Sequence, residues 1–394
     1  MKDHRQIGKE LGLLFFNELA PFGPFWLPKG FIIFKILEKY LRDLYQREGI
    51  VEISTPMLVK KALWERSGHW EKFRDNMFAL KDGKEELALK PMNCPESALV
   101  YQSDVRSYRD LPIRLAEIGQ LHRKEVSGAV GGLFRVRQMT MDDLHIYCRF
   151  DQLAAELTSV LRQIQGFYKL FGYKGEFFLA TKPDKALGSP KNWHIAEKAL
   201  AASLKAQKIE YKIKPKDGAF YGPKIDINLK DAHNRDWTIS TVQVDFAIPG
   251  RFELKYIDEH GKPQQPVIVH RSIFGTFERF IGLLLEHTQG AIPVWLAPVQ
   301  IKVLTVNIEQ ITRAKKIVKE LESAGARAEL DDSNESVTKK IRNAEIQKVP
   351  YIVVYGENEQ KSGKLAVRQR GSAAIKELTV QELVKITGMH TPEV

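Results

Sequence analysis

The chain has 394 residues, of which 43% are hydrophobic and 28% charged. That length holds about two to three domains of ordinary size, and the composition excludes collagen-like and wholly disordered classes. Cys94 and Cys148 are the only cysteines, too few for a disulfide framework, and they fit a reducing compartment. No apolar run reaches the about 18 residues of a spanning helix, and the opening MKDHRQIGKE lacks the basic start and apolar centre of a secretory signal. A cytoplasmic protein with no membrane partner is expected. Lys and Arg total 60 against 49 acidic residues, a net charge of +11. Such an excess suits a polyanionic partner through counterion release, although many basic proteins bind no nucleic acid. From Ala297 onward there are sixteen Lys/Arg against thirteen acids, so +8 of the +11 lies in the larger N-terminal part.

In chain order, residues from about Gly8 to Gly49 read as two helices around a Gly/Pro-rich corner; Ile33, Ile36, Leu37, Tyr40, Leu41 and Leu44 recur at helical spacing. IVEISTPML is a short β-prone run broken by Pro56, and ALWERSGHW a short helix ending at Gly68. From Met77 to Cys148 the pattern turns to strands and turns. Asp151 to Phe171 and Asn192 to Gln207 read as amphipathic helices, with further strand-like runs between Gly218 and His270 and a buried helix in GTFERFIGLLLEHTQG. Long strands joined by turns, with helices grouped around them, predict an α+β antiparallel sheet. After GAIPVWLAPVQ, strands and helices alternate, which predicts a mainly parallel α/β module; the boundary falls near Pro293 to Pro298.

The strongest local pattern is RLAEIGQLHRKEVSGAVGGLFRVRQMTMDDLHIY, read as strand, Gly-rich loop, strand. Arg123 and Glu125 are two apart and share a face, as do Arg135, Arg137, Met141, Asp143 and His145 on the second strand. Pairing the two strands antiparallel puts arginines, two carboxylates and a histidine on one surface. Arginine presents a fixed fork of donors to phosphate oxygens, and a nearby carboxylate can hold an amine. The same pattern also describes a solvated sheet face of mixed charge.

This stretch resembles motif two of the class II aminoacyl-tRNA synthetases, and the whole chain is similar to the threonyl-tRNA synthetase family. FWLPKG, TPML, ALWERSGHW, LKPMNCPES, the HRKE…FRVR…DDLHIY block, AFYGPKIDI, VQVDF, VIVHRSIFGTFERFIG, PVWLAPVQ and VPYIVVYG follow in the family's order. The resemblance implies a class II catalytic domain over residues 1–295, with motif one near 50–60, motif two over 114–148 and motif three over 270–287. A smaller α/β anticodon-binding domain over 296–394 should follow. It implies ATP-dependent activation of L-threonine and transfer to tRNA(Thr) by a homodimer. One Zn2+ per subunit and Mg2+ accompanying ATP are the implied cofactors. Many relatives carry N-terminal editing and accessory domains; this chain begins almost at the catalytic domain and has no HxxxH pair, so a form without editing is expected. A paralogue with altered amino-acid specificity, or one that binds tRNA without charging it, is the alternative.

By the same resemblance, Arg123 is the motif-two arginine on the α-phosphate and acyl carboxylate, Glu125 lies near the adenine amino group, and Arg135 and Arg279 reach the γ-phosphate. Gln243 contacts ATP and amino acid, Thr276 is the small hydroxyl residue before the motif-three helix, and Tyr221 and Lys224 line the pocket, with Lys224 counted among the catalytic residues. Asp143 orients the threonine amine. Cys94, His145 and His270 bind the zinc ion; they lie too far apart in sequence for any spacing rule to join them. Cys148, three residues after His145 on a strand, should face the other way. Asn334, Glu359 and Arg368 are the anticodon contacts, and Arg370 shares a strand face with Arg368. Pro56 resembles the motif-one proline of the dimer interface. The chain departs from the family at Glu96 and Ser97, where MNCPGH is usual, and at Met141, where a glutamine is common.

Overall fold

The computed structural model describes residues 1–126, 128 and 131–387. Ser127, Ala129 and Val130 of the Gly-rich motif-two loop, and residues 388–394 at the end of the expected anticodon-binding domain, lie outside the described residues. The chain divides into two compact units: Ala20–Gly23 with Leu41–Ile281, and Met1–Leu19 and Pro24–Tyr40 with the chain from Gly282 onward.

The larger unit is built on an eight-stranded sheet. Its strands are β1 (Val51–Glu52), β2 (Ile113–His122), β3 (Gln138–Cys148), β4 (Glu176–Ala180), β5 (Tyr211–Lys214), β6 (Lys224–Lys230), β7 (Asp236–Asp245) and β8 (Val267–Ser272). They lie in the order β5-β4-β6-β7-β8-β3-β2-β1. The two outermost pairings are parallel and the pairings between them antiparallel. Strand β8 sits mid-sheet, and all six of its residues are buried.

The helices here include α1 (Cys94–Gln102), α2 (Leu153–Leu170), α3 (Pro190–Ala206) and α4 (Phe277–Thr288). Helix α2 turns Leu157, Val160, Leu161, Ile164 and Phe167 to the sheet at the spacing that one helical face requires. The Phe167 ring meets those of Phe274 and Phe280 at 5.2 and 5.0 Å. Helix α1 is one the sequence pattern did not mark.

The motif-two strands are shorter than expected. Strand β2 stops at His122 and β3 starts at Gln138, so Arg123, Glu125, Arg135 and Arg137 lie outside the regular ladder. The reason is competition for backbone partners. The Phe22 carbonyl accepts the amides of both Arg137 and Gln138 at 2.8 Å, and Asn76 takes the amide of Lys124.

In the other unit, the first expected helix is short, His4–Glu10, and the second runs from Pro28 to Arg47. The corner between them carries a two-residue antiparallel ladder, Leu14 to Trp26 and Phe15 to Phe25. A Cβ on Gly30 would stand 2.0 Å from the Leu13 carbonyl oxygen, so this corner closes only over glycine. The C-terminal sheet comprises β9 (Ile301–Thr305), β10 (Ala328–Asp331), β11 (Tyr351–Tyr355), β12 (Leu365–Gln369) and β13 (Ile375–Leu378), in the order β10-β9-β11-β12-β13. The first three are mutually parallel and the rest antiparallel, so the sheet is mixed where a mainly parallel one was expected. Helices α5 (Ile311–Ser323) and α6 (Val337–Ile346) cover it.

A buried ion pair ties the middle of β2 to the segments after β1 and before α1. Lys90 donates to Glu117 at 2.8 Å and to Thr55 Oγ1 at 2.9 Å, while Glu117 accepts the Thr55 amide at 2.8 Å. Both charged residues are almost fully buried. Lys90→Met would leave Glu117 buried without its counter-charge and is expected to cost about 3–5 kcal/mol. Urea unfolding of the two proteins measures this; a loss below about 1 kcal/mol would contradict it.

Candidate active site

The register of four central strands writes the site as a row across the sheet. Lys224 on β6 pairs with Gln243 on β7, Gln243 with His270 on β8, and His270 with His145 on β3. Directly paired residues project to the same face, so four remote segments deliver their side chains to one line. One residue pair further along β3, Asp143 stands opposite Glu117 of β2.

Helix α1 brings Cys94 over this row. The donor atoms of Cys94, His145 and His270 all lie within 4.8 Å of one another, and all three residues are buried. The rings of His145 and His270 meet edge to face at 4.9 Å. Burial, then the neighbouring His270, holds His145 well below the usual imidazole range, so it stays neutral with a lone pair to donate. His270 Nε2 contacts the Asp245 carboxylate at 3.1 Å, and Asp245 is itself fixed by the amides of Ala247 and Ile248. A thiol, two imidazoles and an outer carboxylate orienting one of them form a donor set that fits zinc with open coordination positions. Cys148 is buried on β3 apart from this cluster.

The row lines a cavity of about 440 Å³ whose wall also includes Arg123, Glu125, Arg135, Asp143, Tyr221, Thr276 and Arg279. Arg123 donates to the Pro91 carbonyl at 3.1 Å. Arg279 donates to the Phe134 and Thr238 carbonyls at 3.0 and 3.1 Å and stacks over Trp237. Burial, with Arg123 and Arg135 adding like charge, lowers Arg279 to about 10. Thr276 Oγ1 accepts the Arg279 amide at 3.2 Å at the start of α4, where unpaired amides and the helix dipole also favour negative charge. Arg137 is turned aside: it donates to the Glu125 carbonyl and lies over Phe22. Lys224 pairs with the Asp226 carboxylate, and Tyr221 donates to Gln243 at 2.6 Å.

The family described as "tRNA synthetase class II core domain (G, H, P, S and T)" matches residues 74–288, and an "Anticodon binding domain" matches residues 300–387. A crystal structure of the RNA binding domain of threonyl-tRNA synthetase from Cryptosporidium parvum superposes with a TM-score of 0.96 at 39% identity, covering 100% of this chain and 99% of that one. The chain belongs to the threonyl-tRNA synthetase family. Threonine–tRNA ligases of Clostridium tetani and Fusobacterium nucleatum are 46% and 48% identical over 383 and 373 residues, 97% and 94% of this chain. The chain spans 60% of the length of each.

Against the family pattern, Met141 lines the cavity and bridges to Thr276. Glu96 and Ser97 do not line it. Ser97 shares a hydrogen bond with Tyr147 at 2.9 Å, and Glu96 is buried with neither carboxylate oxygen partnered among the described residues. Two further residues escaped sequence reading. Asn93 donates to Asp143 at 2.6 Å, and it sits where a Cβ on Gly119 would fall, 2.4 Å from the Asn93 side-chain oxygen. His69 lies 3.8 Å from the Cys94 sulfur, its pKa pushed to about 3 chiefly by burial. A lone His in a short helix gave no pattern to single it out.

In the other unit, Asn334 lines a cavity of about 470 Å³ with Thr305, Asn307 and Lys340. Glu359 and Arg368 do not line it: the Glu359 carboxylate accepts the Gly356 amide at 2.8 Å, and Arg368 stands on β12 opposite Ile352. Arg370, expected beside Arg368 as a nucleic-acid contact, instead donates to the carbonyls of Lys348, Ala291 and Ile292 at 2.6, 3.1 and 2.7 Å. The main chain there has spare acceptors that a long cation satisfies.

Glu278, beside Arg279, accepts the Thr140 amide and is raised by burial from 4.5 to about 8. Above about pH 4.5 the unfolded chain gives up this proton while the folded chain keeps it to about 8, so stability falls across that window and then levels. Glu278→Gln removes the dependence. Its stability relative to the parent should rise by about 2–4 kcal/mol between pH 5 and pH 8.5 in urea unfolding; a pH-independent difference would contradict the raised pKa.

Proposed function

We propose that the chain is a threonine–tRNA ligase. It condenses L-threonine with ATP, accompanied by Mg2+, to threonyl-adenylate and passes the acyl group to the 3′ end of tRNA(Thr). The observation that carries this reading is the convergence of Cys94, His145 and His270 in a cavity whose wall also holds Asp143, Arg123 and Arg279.

The substrate carboxylate attacks the α-phosphorus in line and pyrophosphate leaves, so negative charge spreads over the phosphoryl oxygens. Little proton transfer is needed; positioning and cations supply the rate. Arg123 meets the α-phosphate and the carboxylate. Arg279, aimed by two main-chain carbonyls, and Arg135 take the γ-phosphate. Glu125 receives the adenine amine, and Gln243, held by Tyr221, spans nucleotide and amino acid. Lys224 and Thr276 complete the wall. Asp143, steadied by Asn93, holds the threonine amine. Cys94, His145 and His270 would hold a zinc ion, which would supply open coordination positions for the amine and hydroxyl of threonine; valine has the amine but no hydroxyl. A purely apolar pocket would separate these near-isosteres poorly.

We assign the catalytic domain to residues 1–295 and the anticodon-binding domain to 296–394, with Asn334, Glu359 and Arg368 meeting the anticodon. The homodimer forms through the motif-one segment around Pro56, where Val51 of the edge strand β1 and the following Met57 and Leu58 are exposed. The protein works in the cytoplasm. The Met141 thioether in the cavity wall favours one second reading, a ligase of shifted amino-acid preference.

ATP–pyrophosphate exchange separates the two. Threonine should support it, serine less well, and valine about 10⁴-fold less or worse; a preference for serine would select the second reading. Cys94→Ala or His270→Ala should abolish bound zinc and threonine-dependent exchange while circular dichroism stays that of the parent. Full metal stoichiometry in both variants would overturn the donor set. Gly119→Ala should push Asn93 off Asp143 and raise KM for threonine about 10- to 100-fold, since a hydrogen bond to a charged group contributes about 1.5–3 kcal/mol. An unchanged KM would sever that link.

A further inference from the structure

Residues 169–217 contain eleven lysines, no arginine and five acidic residues, more than half of the chain's net positive charge in about one eighth of its length. The centre of this segment is α3. Its buried face is made by Trp193, Ala196, Leu200, Ser203 and Leu204. Lys191, Lys198 and Lys205 recur every seven residues and are all exposed. At about 100° per residue they fall on one line, diametrically opposite the buried face, with about 10.5 Å of helix rise between successive lysines. His194 and Ala202, both exposed, stand between them. The helix has one acid, Glu197, and its carboxylate is turned away to accept the Lys182 amide at 2.9 Å. None of the three lysines has an ion-pair partner among the described residues.

The stripe leads away from the cavity wall. At the N-terminal end of α3, Trp193 donates to the Leu187 carbonyl at 2.7 Å, and the Leu187 amide donates to the Phe220 carbonyl at 2.7 Å. Phe220 and Tyr221 line the cavity. The helix then runs for about 25 Å.

We propose that the Lys191–Lys198–Lys205 face of α3 is a docking surface for the sugar-phosphate backbone of tRNA, carrying the arm whose 3′ end enters the cavity. The inference rests on the ligase reading for its polyanion. The spacing and isolation of the charges make their own case: three cations held apart on a rigid rod, with no internal counter-charge among the described residues, match a regularly spaced line of phosphates better than a compact anion. Such contacts position the nucleic acid without reading its sequence.

The test is tRNA(Thr) binding by the full chain as a function of salt. Converting all three lysines (K191Q, K198Q, K205Q) should weaken binding about 10- to 100-fold at 0.15 M salt and reduce the slope of log Kd against log salt by about 2 to 3. The triple Lys→Arg variant should keep the parent slope. Threonine-dependent ATP–pyrophosphate exchange should match the parent in both variants, since no lysine of the stripe lines the cavity. A glutamine variant with parental slope and Kd would overturn the proposal. So would a slope lost equally in the arginine variant, which would mark a structural role. Failure of the parent to exchange pyrophosphate with threonine would instead sink the ligase reading, whatever the slopes show.

Discussion

The antiparallel register of β6, β7, β8 and β3 is the constraint on which the site depends. Lys224, Gln243, His270 and His145 face one another because each strand is locked to the next by its ladder. A slip of one residue in any pairing would turn a member of the row to the opposite face of the sheet. The centre of the sheet resists such slippage because β8 is buried along its whole length and α2 packs an apolar face against the sheet. Precision at the donors is thus a by-product of burying hydrophobic surface.

The cavity wall combines two kinds of charge. Three of its arginines have no acidic ion-pair partner among the described residues and can turn to phosphate; burial first, then the like charge of Arg123 and Arg135, lowers Arg279. Beside them, a thiol, two imidazoles and Asp143 suit a cation and an amine. Arg123 and Arg279 are steered by main-chain carbonyls at Pro91, Phe134 and Thr238, and carbonyls orient a guanidinium without neutralising it. The full charge stays available to a ligand.

Much of this was legible in the sequence. Helical spacing located α2, α3 and α5, and the family motifs singled out every side chain of the central row. What stayed hidden has physical reasons. The start of β3 was set by Phe22, more than a hundred residues away, and the chain past the end of β2 by Asn76, neither of which any local periodicity reports. Helix α1 is too short and too evenly buried to show a period, so its role in presenting Cys94 was invisible. Arg370 had the residue type and strand position of a nucleic-acid contact, and only the surrounding carbonyls disclose its work. Glu96 and Ser97 were departures from the family pattern with no stated place; the fold sets them behind the cavity wall.

Gly119 does not line the cavity, yet the space it leaves empty is what Asn93 occupies, and Asn93 in turn steadies Asp143. Attempts to retrain this pocket for a different amino acid would naturally begin with the residues that line it. They would do better to begin one layer out, since enlarging that single hydrogen atom to a methyl group re-aims the carboxylate without altering any chemical group in the cleft.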